Sequence, residues 1–332
     1  MPDVAVIGAS GFTGALAAHL LWRHPRFDLV AVTARSGAGR RLDDLSPRHR
    51  VPLVLEELEL DRHGDVDAAV VAYPHGASSG VVAELRRRGV RVVDLSADFR
   101  LRDLAVYEQW YGSGHEAPAL IGDAAYGLSE LHRERIAAGD LVANPGCFPV
   151  AVLLTLAPLA RAGLIGEVVV DGKTGVSGAG RAATEKTHFV TVDENVNPYG
   201  VGRHRHTPEM EQELAALGAD VPLTFTPHLL PLDQGELVSC YVTPARETDD
   251  AELAGLYAEA YDGEPFVELT DRPPGVRDVR DTNICRIAVR LDERTGKAFV
   301  FAAIDNLWKG ASSQAVQNLN LMFGLGEGEG IA

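Results

Sequence analysis

Cysteine is scarce in this sequence: three among 332 residues, Cys147, Cys240 and Cys285. An odd number without close spacing makes neither a disulfide framework nor a zinc site, so the thiols are expected to be reduced and no metal is expected. Positive charge is also short, with 31 Lys and Arg against 47 Asp and Glu and a net charge of −16. A surface so poor in cations cannot displace counterions from DNA, RNA or anionic lipid, which excludes nucleic acid as a partner. No apolar run approaches membrane-spanning length, so no membrane is expected either. The opening Met1-Pro2-Asp3 runs straight into an apolar strand, with neither the basic flank nor the small-residue cleavage site of a signal peptide. A cytoplasmic location is the expectation.

What is present is an ordinary globular composition, 46% apolar and 23% charged, which sets disorder and fibrous classes aside. Residues 3–7 (DVAVI) read as a strand, Gly8–Gly14 as a turn, Ala15–Trp22 as an apolar helix and Asp28–Thr33 as a second strand. This is a βαβ unit. Ala68–Ala72, a helix over Gly80–Arg88 and a strand at Val90–Leu95 continue the alternation, as in a Rossmann-type parallel sheet doubly wound by helices. Residues 1–146 are therefore expected to form a nucleotide-binding domain.

After Cys147 the pattern changes. A helix is expected from about Ala151, stopped or kinked by Pro158, then a strand at Glu167–Asp171 and a polar, glycine-rich loop from Gly172 to Arg181. Alternating strands at Leu223–Pro227, Glu236–Thr243, Asn283–Val289 and Ala298–Asp305 point to an α+β domain over 147–309 with a mixed or antiparallel sheet. The last helix, Gly310–Met322, is expected to return, so that 310–332 completes the first domain.

Gly8-Ala9-Ser10-Gly11-Phe12-Thr13-Gly14 lies between a strand and a helix, where glycines allow backbone amides to approach a pyrophosphate. The alternative is a turn built for packing alone. At the end of the second strand, Thr33-Ala34-Arg35-Ser36 lacks the carboxylate that grips a ribose 2′-hydroxyl. Arg35 and Ser36 suit a 2′-phosphate instead, which favours NADP(H) over NAD.

Cys147 follows a Pro-Gly turn and precedes an apolar helix, a position that lowers a thiol's pKa and favours the thiolate. Cys240 and Cys285 sit in strands and read as buried small hydrophobes. A thiolate nucleophile needs a proton partner, and Arg203-His204-Arg205-His206-Thr207-Pro208 supplies two candidates. His206 is preferred, because the helix start at Thr207-Pro208 fixes it, and His204 comes second. Arg100, just past the strand Val90–Leu95, could fork onto a phosphate, and the loop ending at Arg181 offers further donors.

Seven ordered stretches are similar to those of the N-acetyl-γ-glutamyl-phosphate reductases of arginine biosynthesis: GASGFTG at 8–14, DLSADFRL at 94–101, AYGLSEL at 125–131, NPGCFP at 144–149, SGAGR at 177–181, HRHTPEM at 204–210 and AAIDNLWKG at 302–310. The resemblance covers essentially the whole chain. It implies a semialdehyde dehydrogenase-like fold in which Cys147 attacks a small acyl phosphate, NADPH reduces the resulting thioester, and His206 or His204 moves protons. It further implies cofactor contacts from Gly8, Ser10, Gly11, Phe12, Thr13, Gly14, Arg35, Ser36, Ser177, Gly178 and Asn306. Substrate or phosphate contacts are implied for Arg100, Asn144, Arg181 and Glu209, and the assembly is implied to be a homodimer or homotetramer. One departure stands out: the family usually has threonine three residues after the cysteine, where this chain has Val150.

Two rival readings share parts of this pattern. A reductase of glutamyl or aminoadipyl phosphate carried on a small acidic protein would need a basic rim, which the net charge of −16 disfavours. A non-catalytic NADP-binding sensor would need neither Cys147 nor His206.

Overall fold

The computed structural model describes residues 1–112 and 114–331, which form two compact units: 1–146 with the segment from Ala311 onward, and Cys147–Gly310. In the first, β1 (Asp3–Ile7), β2 (Asp28–Thr33), β3 (Ala68–Val71), β4 (Arg91–Asp94), β5 (Ala125–Tyr126) and β6 (Leu141–Ala143) make a sheet of order β2-β1-β3-β4-β6-β5. Every pairing is parallel. Helices α1 (Phe12–Trp22), α2 (Ser79–Arg87), α3 (Leu104–Tyr111) and α4 (Ser129–Ala138) connect the strands. β3 reads Ala-Ala-Val-Val and is buried at all four positions, as a strand covered on both faces must be.

The stretch DLSADFRL owes its pattern to this unit. Asp98 accepts the backbone N–H of Gly76, Ser78 and Ser79 at 2.6, 3.1 and 3.0 Å, holding the start of α2. Asp94 accepts the hydroxyls of Ser78 and Ser96, both at 2.6 Å, and its complete burial lifts its pKa to about 6.

The second unit opens with α5 (Cys147–Arg161) and carries seven strands: β7 (Ile165–Gly175), β8 (Asn197–Pro198), β9 (Leu223–Leu230), β10 (Glu236–Pro244), β11 (Val267–Leu269), β12 (Cys285–Asp292) and β13 (Lys297–Ile304). Their order is β11-β12-β13-β10-β7-β9-β8, mixed, with parallel pairs at β7/β9 and β11/β12. α5 packs on β10, β13 and β7, between α6 (Thr207–Ala216) and α7 (Asp250–Tyr261).

Three sequence expectations need correction here. α5 starts at Cys147, not near Ala151: Pro149 falls in the first turn, whose N–H groups have no intrahelical acceptor, so its missing donor costs little. Pro158 does not end the helix, which runs on to Arg161. The carbonyl that Pro158 deprives of a donor is that of Leu154, and it accepts the Tyr261 hydroxyl instead, while Tyr257 donates to the next carbonyl, Thr155. Finally, Gly172–Gly175 is not loop but the end of β7. Gly172 is required there by packing, since a Cβ would sit 2.5 Å from the Phe148 ring.

After a π-helical turn at Trp308–Ser312, the chain re-enters the first unit as α8 (Ser313–Met322), shorter than the expected Gly310–Met322. α8 packs on α4, α1 and β4. Its Gln314, Gln317, Asn318 and Asn320 are fully buried, yet each is bonded. Asn318 Nδ2 donates to Gly127 O at 2.8 Å, Gln314 Nε2 to Ser129 Oγ at 2.9 Å, and Arg91 Nη1 to the Met322 carbonyl at 3.0 Å. Among the described residues no helix is long and apolar enough to cross a membrane.

Candidate active site

Cys147 is the first residue of α5, where the helix dipole and the unshared amides of the first turn favour an anion. It is partly exposed, whereas Cys240 and Cys285 have no exposed surface, and burial pushes the Cys240 thiol pKa up. Gly310 leaves room for the nucleophile: a Cβ there would lie 2.8 Å from the Cys147 Cβ. Val150, the departure from the family pattern, is wholly buried one turn into α5 and packs as a core residue.

The histidine pair gathers around Phe148, the neighbour of the nucleophile. Its ring lies 5.9 Å from that of His204 and 6.3 Å from that of His206, and the two imidazoles are 4.8 Å apart. They are not equivalent. His204 Nδ1 accepts the His206 backbone N–H at 3.2 Å, which places the proton of the neutral ring on Nε2. Burial, with a contribution from Arg205, lowers its pKa to about 4, so it is neutral at pH 7 and a poor proton acceptor there. Gly200, at φ +56°, fits against this ring, where a Cβ would come within 3.2 Å. His206 stands immediately before α6 and, like His204, is half-buried.

A residue that sequence reasoning missed lies beside the sulfur. Glu236, Val238, Cys240 and Val242 alternate along β10 on its buried face, and none of the four has exposed surface. Across β10 and β7, Glu236 is in register with Thr174. Its carboxyl faces the Cys147 thiol and the Thr174 hydroxyl without full hydrogen-bond alignment, and neither oxygen has another partner among the described residues. Burial raises its pKa to about 8. Burial raises the Tyr199 phenol pKa, and Cys147 and Glu236 raise it further.

In the first unit the glycines of 8–14 do distinct work. Gly8 adopts φ +95°, and Gly14 lets the chain pass itself, since a Cβ would lie 2.3 Å from the Gly8 carbonyl oxygen. Gly11, where a Cβ would meet only the Gly8 carbonyl oxygen at 3.9 Å, is the N-cap of α1, which has no side-chain cap and no acidic residue in its first turn. With Ser10 and Thr13 alongside, this cradle suits a pyrophosphate. Arg35 is exposed at the end of β2, its guanidinium 4.7 Å from the centre of the Tyr73 ring, and Ser36 is exposed beside it. These residues fit an NADP-type dinucleotide.

The other expected contacts vary in availability. Arg100 is held by the backbone, Nε on Asn144 O and Nη2 on Leu95 O, both at 2.8 Å. Asn144 donates to Ala311 O at 3.2 Å and accepts from Asn318 at 3.0 Å. Ser177 and Asn306 are brought together at 3.0 Å, and Asn306 also accepts the Gly235 N–H at 2.7 Å. Gly178 lies beside them; a Cβ there would come 3.7 Å from the Asn306 amide nitrogen. Arg181 is exposed, with burial of part of its length lowering its pKa. Glu209, expected at the substrate, has no exposed surface and lies in the first turn of α6.

Family models match both halves of the chain: the NAD binding domain of semialdehyde dehydrogenases at residues 3–139 and their dimerisation domain at 147–306. The N-acetyl-gamma-glutamyl-phosphate reductase of Desulforudis audaxviator is 50% identical, covering 100% of this chain and 98% of its own length. Those of Moorella thermoacetica and Geobacter sulfurreducens are each 47% identical, over 98% and 100% of this chain and 97% and 98% of their own. Among solved structures, aspartate semialdehyde dehydrogenase II of Vibrio cholerae, complexed with ASA, superposes with a TM-score of 0.74 at 20% identity, over 97% of this chain and 98% of that one. The Candida albicans enzyme, solved with NADP, gives 0.72 at 16%, with the same coverage. These distant structures speak for the fold alone. Identity near one half over the full length settles the narrower question: the chain belongs to the N-acetyl-γ-glutamyl-phosphate reductase family of the semialdehyde dehydrogenases.

Proposed function

We propose that this chain reduces N-acetyl-γ-glutamyl phosphate to N-acetylglutamate 5-semialdehyde with NADPH, through a thioester on Cys147. The observation that carries the reading is a partly exposed cysteine at the first position of a buried helix, in a chain half identical to named reductases of this substrate. The Cys147 sulfur adds to the acyl carbon, the carbon–oxygen bond to phosphate breaks, and phosphate leaves. Gly8, Ser10, Gly11, Phe12, Thr13 and Gly14 hold the pyrophosphate of the cofactor, and Arg35 and Ser36 its 2′-phosphate; when bound, the reduced nicotinamide supplies a hydride to the thioester carbon. His206 gives a proton to the carbonyl oxygen of that centre and takes it back as the carbon–sulfur bond breaks, releasing the aldehyde and restoring the thiolate.

Arg100, Arg181 and Asn144 are assigned to the phosphate and acyl groups, and Ser177, Gly178 and Asn306 to the cofactor side. His204, neutral at pH 7, shapes the pocket wall. A homodimer or homotetramer in the cytoplasm completes the reading, supported by the match to a dimerisation domain.

The test is phosphate-dependent reduction of NADP by N-acetylglutamate 5-semialdehyde, followed at the nicotinamide absorbance band, with Cys147→Ala beside wild type. Activity in wild type and none in the variant is expected. An inactive wild type whose Cys147 still labels rapidly would move the reading to a carrier-linked acyl phosphate.

A further inference from the structure

We propose that Glu236 is the proton partner of the Cys147 thiol: its carboxylate takes the thiol proton as sulfur attacks, holds it through the thioester stage, and returns it when the carbon–sulfur bond breaks. The step is balanced, with the S–H bond exchanged for a carboxyl O–H and then restored. It deepens the thioester reading above and rests on Cys147 being the nucleophile.

The placement of Glu236 is the first argument. β10 presents it in file with Val238, Cys240 and Val242, all on the face that α5 covers, and α5 begins with Cys147. A carboxylic side chain at the end of an otherwise apolar file is costly unless it has a task, because an ionised carboxylate loses its hydration there. The surroundings do not satisfy it. Its register partners are Thr174 on β7 and Ile304 on β13. The polar and titratable groups acting on it are the Thr174 hydroxyl, the Asp305 carboxyl that follows β13, the Tyr199 phenol and the Cys147 thiol. Asp305 and Tyr199 repel or fail to compensate a negative charge on Glu236. Of these groups, the thiol is the one with a proton to trade near neutral pH.

Proton affinity is the second argument. A solvated carboxylate near 4.3 holds a proton too weakly to take one readily from a thiol. Burial lifts Glu236 to about 8, so at pH 7 roughly one molecule in ten carries the carboxylate, and that form takes the thiol proton at far smaller cost than a solvated carboxylate would. His206 serves the carbonyl oxygen, so the two proton tasks fall on two residues.

The experiment uses the full chain and needs no substrate. The rate of Cys147 alkylation by iodoacetamide is measured against pH by mass spectrometry, in wild type and in Glu236→Gln. Wild type should rise in two steps, the signature of a coupled pair, and Glu236→Gln in one. An infrared difference spectrum of the alkylation at pH 7 should show a protonated-carboxyl band shifting in wild type and missing in Glu236→Gln. In the reductase assay, kcat of Glu236→Gln should fall by about 10²-fold with KM little changed. A single alkylation step in wild type, with no carboxyl band moving, would overturn the proposal; the spectrum needs only wild-type protein, so a poorly folded variant does not shield it. Two-step alkylation in a protein that fails to reduce NADP with the semialdehyde would instead sink the assigned substrate and leave the pair standing.

Discussion

Gly310→Ala tests how tightly the nucleophile is held. The new methyl would lie 2.8 Å from the Cys147 Cβ, and 3.3 Å from both the Cys147 Cα and the Asp305 carbonyl oxygen. Two carbons rest at about 3.5–4.0 Å, so the Cβ pair would be too close by about 1 Å. Neither side can give way through a rotamer, because both atoms are fixed by backbone: Cys147 by the first turn of α5, Gly310 by the π-helical turn and its N–H bond to Asp305 O at 3.0 Å. Overpacking of this kind costs about 1–3 kcal/mol, enough to lower the urea midpoint without unfolding the protein. The displacement falls on the reacting atom, and a misplacement of about 1 Å costs on the order of 10²-fold in rate. The variant is therefore expected to keep its circular dichroism spectrum, lose about 100-fold in kcat/KM in the semialdehyde assay, and label more slowly at Cys147. Activity within threefold of wild type would refute the claim that Gly310 sets the position of the sulfur.

Tyr261→Phe leaves the buried Leu154 carbonyl without a donor and should cost about 1–3 kcal/mol in urea unfolding. Pro158→Ala restores the helical N–H and should recover part of that loss in the double variant; additive effects would show that the hydroxyl does not replace the missing donor. Asp98→Ala removes the acceptor of three backbone N–H groups and the Tyr107 hydroxyl, and a loss of about 3 kcal/mol is expected from the same measurement. For His204 the folded pKa of about 4 lies below the unfolded value of 6.5. The unfolded chain thus binds a proton first as pH falls, and stability drops between pH 6.5 and 4, by roughly 3 kcal/mol at most. His204→Gln should flatten that part of the stability profile, and an unchanged slope would count against a neutral, buried ring.

The parallel sheet and the glycine turn were legible because their signals are local. GASGFTG needs only a strand before it and a helix after it, and both are visible in DVAVI and ALAAHLLW. Cys147 was legible for a related reason, standing between a Pro-Gly turn and an apolar run. The length of α5 was not, because the tolerance of Pro158 comes from Tyr261, a hundred residues on, which no local pattern announces. Glu236 escaped notice for the same kind of reason. In an alternating strand a glutamate reads as the solvent-facing residue, and only pairing with Thr174 and the cover of α5 reveal that it points inward at the sulfur. The roles of His204 and His206 parted only when burial and the His206 N–H bond fixed one ring as neutral.

The return of α8 into the first unit carries a consequence for how the molecule is made. Cys147–Gly310 is one continuous stretch and can complete its sheet as soon as it leaves the ribosome. Residues 1–146 cannot: the surfaces of α1, α4 and β4 that α8 covers wait until the chain beyond Gly310 is made, with the Ser129 hydroxyl, the Gly127 carbonyl and the Arg91 guanidinium waiting for Gln314, Asn318 and Met322. The half of the protein synthesised first is thus the last to be finished, and during that interval it is the part most exposed to chaperones and proteases.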